Sequence, residues 1–310
     1  MVRDRTTRER AAGVRVEPVP GEAAATATVE HGERTDDAPQ RERLLLVADY
    51  HAGYEAALRY ERGVDVPSRA DERRDRLQTL VDRTDPDRLV VLGDLMHSIG
   101  DPGGAERGEL EVLVESLPPT LAVTVVKGNH DGEIETWLGD DDSVGTEPRR
   151  DDPNADVPEV TVVPGNGIRI GGIGVCHGHT WPAPELLESG VEAICLGHEH
   201  PCVRLEDEVG GSRVERAWLR GRADPAAFAD HERDAASRCG TDDATVPSTW
   251  LSEGVEPPRL IVMPAFNDLV GGTWVNLAEQ SFLSPFLPDG LADGEAYLLD
   301  GTRLGPYDGI

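Results

Sequence analysis

Three apolar runs, at 44–48, 89–92 and 121–126, broken only by Thr124, are each followed by a small or polar residue. The stops are Asp49, then Gly93-Asp94, then Gly128-Asn129. Apolar residues that do not alternate with polar ones suit strands buried on both faces. A stretch from Ala70 to about Arg83, amphipathic through Leu77, Leu80 and Val81, reads as a helix between the first two runs. A second helix is expected over 109–117, halted by Pro118-Pro119, between the next two. Strand alternating with helix implies right-handed crossovers and a parallel sheet, an α/β fold. Ligands of such sheets gather beyond the carboxyl ends of the strands, so Asp49, Asp94 and Asn129 should meet at one edge.

The pattern loosens on either side of this block. Residues 14–16 and 25–29 are compatible with a short hairpin around Pro20-Gly21. Residues 160–163, 168–170 and 174–176 read as strands of a mostly antiparallel second sheet. Further strands are expected at 193–196, 203–205, 214–219 and 260–263. Residues 1–12 read as a disordered lead-in. Residues 13–310 read as a single domain with a solvated acidic loop at 139–158 and an insertion at 222–256, part helical and part disordered.

Fifty-nine acidic residues against 30 basic ones leave a formal charge of −29, and Lys127 is the only lysine. Arg over Lys, abundant carboxylates and few aromatics suggest a protein kept hydrated in concentrated salt, that is, a halophilic cytoplasm. High net charge can also mean disorder, but the apolar runs are too regular for that to hold throughout. In molar salt the screening length falls to roughly 3 Å, so this charge leaves DNA or RNA among the candidate substrates. The four cysteines form no CxxC pair, which argues against a disulfide framework or a zinc finger. No run reaches 18 apolar residues, and residues 1–10 lack an apolar signal core. The expectation is a soluble, cytoplasmic protein with no membrane contact; oligomeric state cannot be read.

Two histidine pairs complete the polar clusters: His177-Gly178-His179 and Gly197-His198-Glu199-His200. One acidic residue after a strand is commonly a cap or a turn former. Three such strand ends followed by two HxH pairs are hard to produce by accident. Asp49 and His51 can reach one cation, and Asp94 can bridge two with its two oxygens. Asn129 offers a neutral oxygen, the imidazoles of His198 and His200 can face different metals, and His177 completes the second. Mixed carboxylate, amide and imidazole ligation suits Mn²⁺, with Fe or Zn²⁺ as alternatives. Two cations roughly 3.5–4 Å apart would acidify a bridging water and clamp an in-line displacement at phosphorus. His130 is placed to protonate the leaving oxygen, and Asp131 to orient that imidazole.

These residues resemble the calcineurin-like metallophosphoesterase superfamily, whose signature is DxH, GD, GNH[DE], a histidine before Gly, and GHxH. They stand here as Asp49-x-His51, Gly93-Asp94, Gly128-Asn129-His130-Asp131, His177-Gly178 and Gly197-His198-x-His200. The resemblance covers roughly residues 44–275. It implies a four-layer α-β-β-α sandwich of two mixed sheets. It also implies a first metal held by Asp49, His51, Asp94 and His200, and a second by Asp94, Asn129, His177 and His198. The text around the ligands, including Gly93-Asp94-Leu95-Met96-His97-Ser98 and Met263-Pro264-Ala265-Phe266-Asn267, resembles archaeal phosphoesterases related to the SbcD nuclease. It is also similar to the ligase-associated phosphodiesterase PdeM. Tyr50 stands where Leu or Ile is usual and should point away from the metals.

Around this core, His97 and His179 can contact substrate or support a ligand from behind. Pro264-Ala265-Phe266-Asn267 and Gly271-Gly272 can form a return loop near the metals or a plain turn. Arg149-Arg150 and the arginines between Arg213 and Arg222 can touch a phosphate backbone or balance acidic neighbours. The expected activity is a metal-dependent phosphodiesterase or nuclease acting on nucleic acid or on cyclic or dinucleotide substrates. The alternatives are a phosphomonoesterase on nucleotides or phosphoproteins, and a metal-bound scaffold with little turnover in a DNA-repair complex.

Overall fold

The computed structural model describes residues 14–31, 40–99, 103–138, 157–207, 209–231, 255–277 and 280–310. The lead-in at 1–12, almost all of the acidic loop at 139–158, Arg149-Arg150, Cys239 and residues 232–254 of the insertion lie outside these. Fourteen strands make two sheets. The first has six strands in chain order: β1 (Val16–Pro18), β2 (Ala24–His31), β3 (Gln40–Val47), β4 (Arg88–Leu92), β5 (Ala122–Val126) and β6 (Val160–Val163). β1, β2 and β3 pair antiparallel, which is the expected hairpin extended by one strand. β3 through β6 run parallel. β6 was expected in the second sheet and is instead the parallel neighbour of β5.

Alternation along β3, β4 and β5 divides their side chains between two cores. Leu45, Val47, Leu89, Val91, Val123 and Val125 face the helices α2 (Ala70–Thr84) and α3 (Gly104–Glu115), against Leu77, Leu80, Val81, Leu110 and Leu113. Leu44, Leu46, Ala48, Val90, Leu92 and Val126 face the second sheet. Leu44, Leu45 and Leu46 are all fully buried. At about 1.5–3 kcal/mol per buried aliphatic side chain, such double-sided strands anchor the fold.

The second sheet has eight strands: β7 (Ile168–Ile170), β8 (Ile173–Cys176), β9 (Ala193–Leu196), β10 (Cys202–Glu206), β11 (Ser212–Ala223), β12 (Arg259–Val262), β13 (Leu291–Leu298) and β14 (Arg303–Pro306). Their order is β14-β13-β11-β12-β9-β8-β7, with β10 on β11. β8, β9 and β12 are parallel and the remaining pairs antiparallel, so the sheet is mixed and, as expected, mostly antiparallel. Its outer face is covered by a 3-10 turn at Pro184–Leu187, a helical stretch at 225–231, and Phe286 and Leu287. The layers are therefore α-β-β-α, the fourth being short. Cys176, Cys195 and Cys202 are buried free thiols. No helix among the described residues is long and apolar enough to cross a membrane.

Register decides where the polar clusters go. Val47 lies beside Val91, and Val91 beside Val125, so the chains leaving β3, β4 and β5 emerge together. Cys176 lies beside Leu196 and Leu196 beside Val262, which brings His177 and Gly197-His198 out at the ends of neighbouring strands. Behind the first loop, helix α1 (Tyr54–Arg62) is tied to α2 and α3 by a buried charge cluster. The Arg73 guanidinium lies 3.1 Å from Glu55 and 2.6 Å from Glu109. Glu109 also accepts the Gly53 N–H at 2.9 Å. Tyr50 is fully buried beside this cluster, stacked on Phe266, and so points away from the metal-ligand candidates.

Candidate metal centre

Ligand atoms of Asp49, His51, Asp94 and His200 all lie within 4.8 Å of one another, and those of Asp94, His177 and His198 do likewise. Asp94 belongs to both groups. Asn129 joins the second, with its Oδ1 3.1 Å from His177 Nε2. All seven expected ligands therefore converge, from five loops that leave two sheets.

The backbone is bent to achieve this. Asp49, His51, Asp94, His198 and His200 have φ of 55°, 48°, 45°, 67° and 44°. For residues with a Cβ this left-handed region costs about 1–2 kcal/mol each, and such outliers cluster where function requires them. The motif glycines have a steric reason. A Cβ on Gly93 would come within 2.0 Å of His177 Nδ1, and one on Gly128 within 1.9 Å of Asp94 Oδ1. Only bare backbone lets these loops close on the ligands.

Hydrogen bonds aim the imidazoles. His177 Nδ1 donates to the Leu92 carbonyl at 3.0 Å, and His200 Nδ1 to the Gly271 carbonyl at 2.8 Å. Each ring then presents Nε2 to the cluster, the arrangement that orients metal-binding histidines. His200 Nε2 stands 3.3 Å from His51 Nε2 and 3.3 Å from Asp49 Oδ1. His177 Nε2 stands 3.4 Å from Asp94 Oδ1. Imidazole nitrogens, carboxylates and an amide oxygen face one another here, which is what a cation requires of its surroundings.

The electrostatics agree. Burial opposes ionisation of Asp49, yet His200 and His177 hold its carboxyl below the usual range. Asp94 is likewise buried and held low by His177, His51 and His130. Burial also opposes a charge on His177, but Asp94 and Asp49 raise it to about 9; His200 is raised by Asp49. Burial pushes His51 down to about 3, and burial with His177 pushes His198 down to about 4. The two carboxylates thus favour positive charge on the His177 and His200 rings, a role a divalent cation would take over. The donors present fit two such cations: Asp49, His51, Asp94 and His200 would hold one, and Asp94, Asn129, His177 and His198 the other.

His130 lies beside this centre. Its backbone N–H donates to Asp94 Oδ1 at 3.0 Å, its Nδ1 bonds the His97 carbonyl, and its Nε2 is 3.9 Å from Asp94 Oδ2. Asp131 does not orient this ring as expected. Its carboxylate accepts the backbone N–H groups of Met96 (2.8 Å) and Gly128 (2.6 Å), bracing the two ligand loops against each other. Burial and the nearby Asp94 raise that carboxyl to about 6. His97 stacks on His130 at 5.3 Å and sets its Nδ1 3.4 Å from His51 Nδ1. The His179 ring lies 5.2 Å from that of His177, with Nδ1 buried and unpartnered.

Several supports escaped the sequence reading. Glu199, read only as the spacer of an HxH pair, is fully buried. It accepts Leu283 N–H (2.8 Å), Ser284 N–H (2.6 Å) and the Thr273 hydroxyl (2.7 Å), locking the loop that carries His198 and His200. Alternation gave one signal, because the residue between two ligands must point the other way. Glu106, also unmarked in the sequence, accepts the N–H groups of His97 (2.5 Å) and Ser98 (2.9 Å), and Asn267, in the segment read as a return loop near the metals, donates its Nδ2 N–H to the His51 carbonyl at 3.3 Å. These partners are backbone atoms, which no residue pattern advertises.

Comparison with known proteins follows the same lines. The family model described as calcineurin-like phosphoesterase matches residues 42–202, a span that contains every residue of both clusters. Among solved structures, the nuclease MPE of Pseudomonas putida is similar at 18% identity over 94% of this chain and 100% of that one, with a TM-score of 0.46. YfcE, a phosphoesterase from E. coli, is similar at 15% identity over 53% of this chain and 73% of that one, with a TM-score of 0.30. No curated protein sequence matches the chain.

Proposed function

Since the chain belongs to the calcineurin-like phosphoesterase family, we propose that it hydrolyses phosphodiesters, in nucleic acid or in cyclic or dinucleotide substrates, with two divalent cations. The observation that carries this reading is the pair of ligand clusters sharing Asp94 at the carboxyl ends of parallel strands. When bound, the cations would supply Lewis acidity at the phosphoryl oxygens and would acidify the attacking water. Manganese suits the mixed donor set, with iron or zinc as alternatives.

The chain's own groups divide the remaining work. Asp49 and Asp94 stay ionised, and the Leu92 and Gly271 carbonyls fix which nitrogen His177 and His200 present. The His97 carbonyl fixes His130 in the same way, leaving its Nε2 facing the centre, where a proton can pass to the leaving oxygen. Charge favours a diester over a monoester. Among the described residues no Lys or Arg hydrogen-bonds or ion-pairs with a candidate ligand of either cluster, and a monoester would bring close to a second negative charge at neutral pH.

The test is a substrate panel with Mn²⁺ in molar potassium chloride: bis-(p-nitrophenyl) phosphate, p-nitrophenyl phosphate, single- and double-stranded DNA, RNA and cyclic nucleotides. Faster cleavage of the monoester would reverse the ranking. A folded, metal-loaded protein without turnover on any of them would make it a scaffold.

A further inference from the structure

Beside the metal centre lies a group of arginines that the hydrolytic chemistry does not use. Arg216 sits on β11 directly across from Cys202, two residues beyond the ligand His200. Two residues of chain and one antiparallel pairing place its Cα on the order of 12 Å or less from that of His200. Its Nη1 donates to the carbonyls of Ala265 (2.9 Å) and Phe266 (3.4 Å). Arg76, from α2, donates to the same Phe266 carbonyl at 3.0 Å. That segment runs along the metal edge, because Phe266 N–H bonds the Ala48 carbonyl (2.7 Å) and Asn267 N–H the Asp49 carbonyl (3.3 Å).

The two guanidiniums are not equally compensated. Arg76 holds Glu22 at 2.6 Å, whereas among the described residues Arg216 has no carboxylate within ion-pair distance. A charge removed from water is costly unless paired. Burial and the neighbouring Arg76 press the Arg216 guanidinium below its usual value, and the more distant carboxylates of Asp268 and Glu22 only partly offset them. Its Nε and Nη2 have no hydrogen-bond partner among the described residues, and neither is buried without one. That free pair of N–H groups is the fork that grips a phosphate through two oxygens.

We infer that Arg216, with Arg76 beside it, forms a subsite for a backbone phosphate adjacent to the one cleaved, so that the substrate is a polynucleotide strand. The inference rests on the phosphodiesterase reading and narrows it. Carbonyl contacts alone would make Arg216 a loop brace; the free fork, with no carboxylate in direct contact among the described residues, gives it a ligand.

The experiment compares a single-stranded DNA oligonucleotide with bis-(p-nitrophenyl) phosphate, which has no neighbouring phosphate, both with Mn²⁺. For Arg216→Gln, the ratio of kcat/KM on DNA to that on the small diester should fall at least tenfold. The slope of log(kcat/KM) on DNA against log salt should become shallower by about 0.7, one released counterion. Arg216→Lys should keep the slope and lose part of the ratio. An unchanged ratio or an unchanged slope in the glutamine variant would overturn the inference. Should that variant not fold, the substrate can be altered instead. Neutral methylphosphonates placed singly at the linkages flanking the cut should slow the wild-type enzyme at one linkage, and indifference at all of them would refute the subsite. Cleavage of the small diester without cleavage of DNA would also refute it. Failure on both substrates would sink the phosphodiesterase reading itself.

Discussion

Replacing Gly128 by alanine tests the packing on which the metal centre depends. An added Cβ would lie 1.9 Å from Asp94 Oδ1 and 2.2 Å from the Asp94 backbone nitrogen. Real Cβ contacts do not fall below 3.0 Å, so the Asp94 carboxylate or its loop must retreat by about 1 Å. Neither is a flexible tip: Asp94 is buried, and Asp131 ties the Gly128 loop to the backbone of Met96. A displacement of that size at a reacting centre costs on the order of 10²-fold in rate. Because Asp94 serves both clusters, both cations should be held less tightly. Overpacking of this kind costs about 1–3 kcal/mol of stability, so the variant should fold and melt somewhat earlier. The assay is metal content by elemental analysis after dialysis, with kcat/KM on bis-(p-nitrophenyl) phosphate. Gly108→Ala in α3 is the control, since a Cβ there meets nothing within 4 Å. It should keep activity and gain roughly 0.5–1 kcal/mol from helix propensity. Full metal retention with turnover within twofold of wild type for Gly128→Ala would refute the close approach and, with it, the central place of Asp94.

Asp94→Ala should lower metal content at both clusters and abolish turnover; one cation retained at wild-type affinity would show that the carboxylate is not shared. His130→Ala should leave metal content intact and slow hydrolysis by roughly 10²–10⁴-fold, and full activity would remove it as the proton donor. Arg73→Met strands Glu55 and Glu109 in the interior and should cost about 3–5 kcal/mol in denaturant titration. Burial opposes ionisation of Glu55, but Arg73 outweighs it and lowers the carboxyl below 4.5, so its contribution is present above that pH and lost as pH falls through the lowered value. The stability gap between wild type and Glu55→Gln should therefore shrink on acidification below pH 4.5; a constant gap would contradict the assignment.

Some of this fold was legible because its cause is local. Residues 44–47 of β3, β4 beyond Arg88 and β5 apart from Thr124 are apolar on both faces, a run of side chains that suits the middle of a covered parallel sheet. The polar residues that stop them had nowhere to go but its carboxyl edge. β6 was legible as a strand and misplaced as to sheet, since Val160–Val163 states a preference for burial but not for a partner. Helix α1 passed unseen because its buried residues include Glu55, an acid whose burial is satisfied by Arg73 from another helix. The β13–β14 pair passed unseen too, with Asp293 and Gly294 interrupting any apolar run.

The site divides along the same line. Residue types and their order named the seven candidate ligands, because a metal selects side chains and side chains are what a sequence records. Which nitrogen each histidine presents, why Gly128 cannot bear a Cβ, why Asp131 braces two loops rather than its neighbour's ring, and where Arg216 came to lie were decided only by tertiary structure. Each depends on backbone carbonyls, N–H groups and clearances contributed by segments tens to hundreds of residues away, and the backbone is chemically the same at nearly every position of the chain.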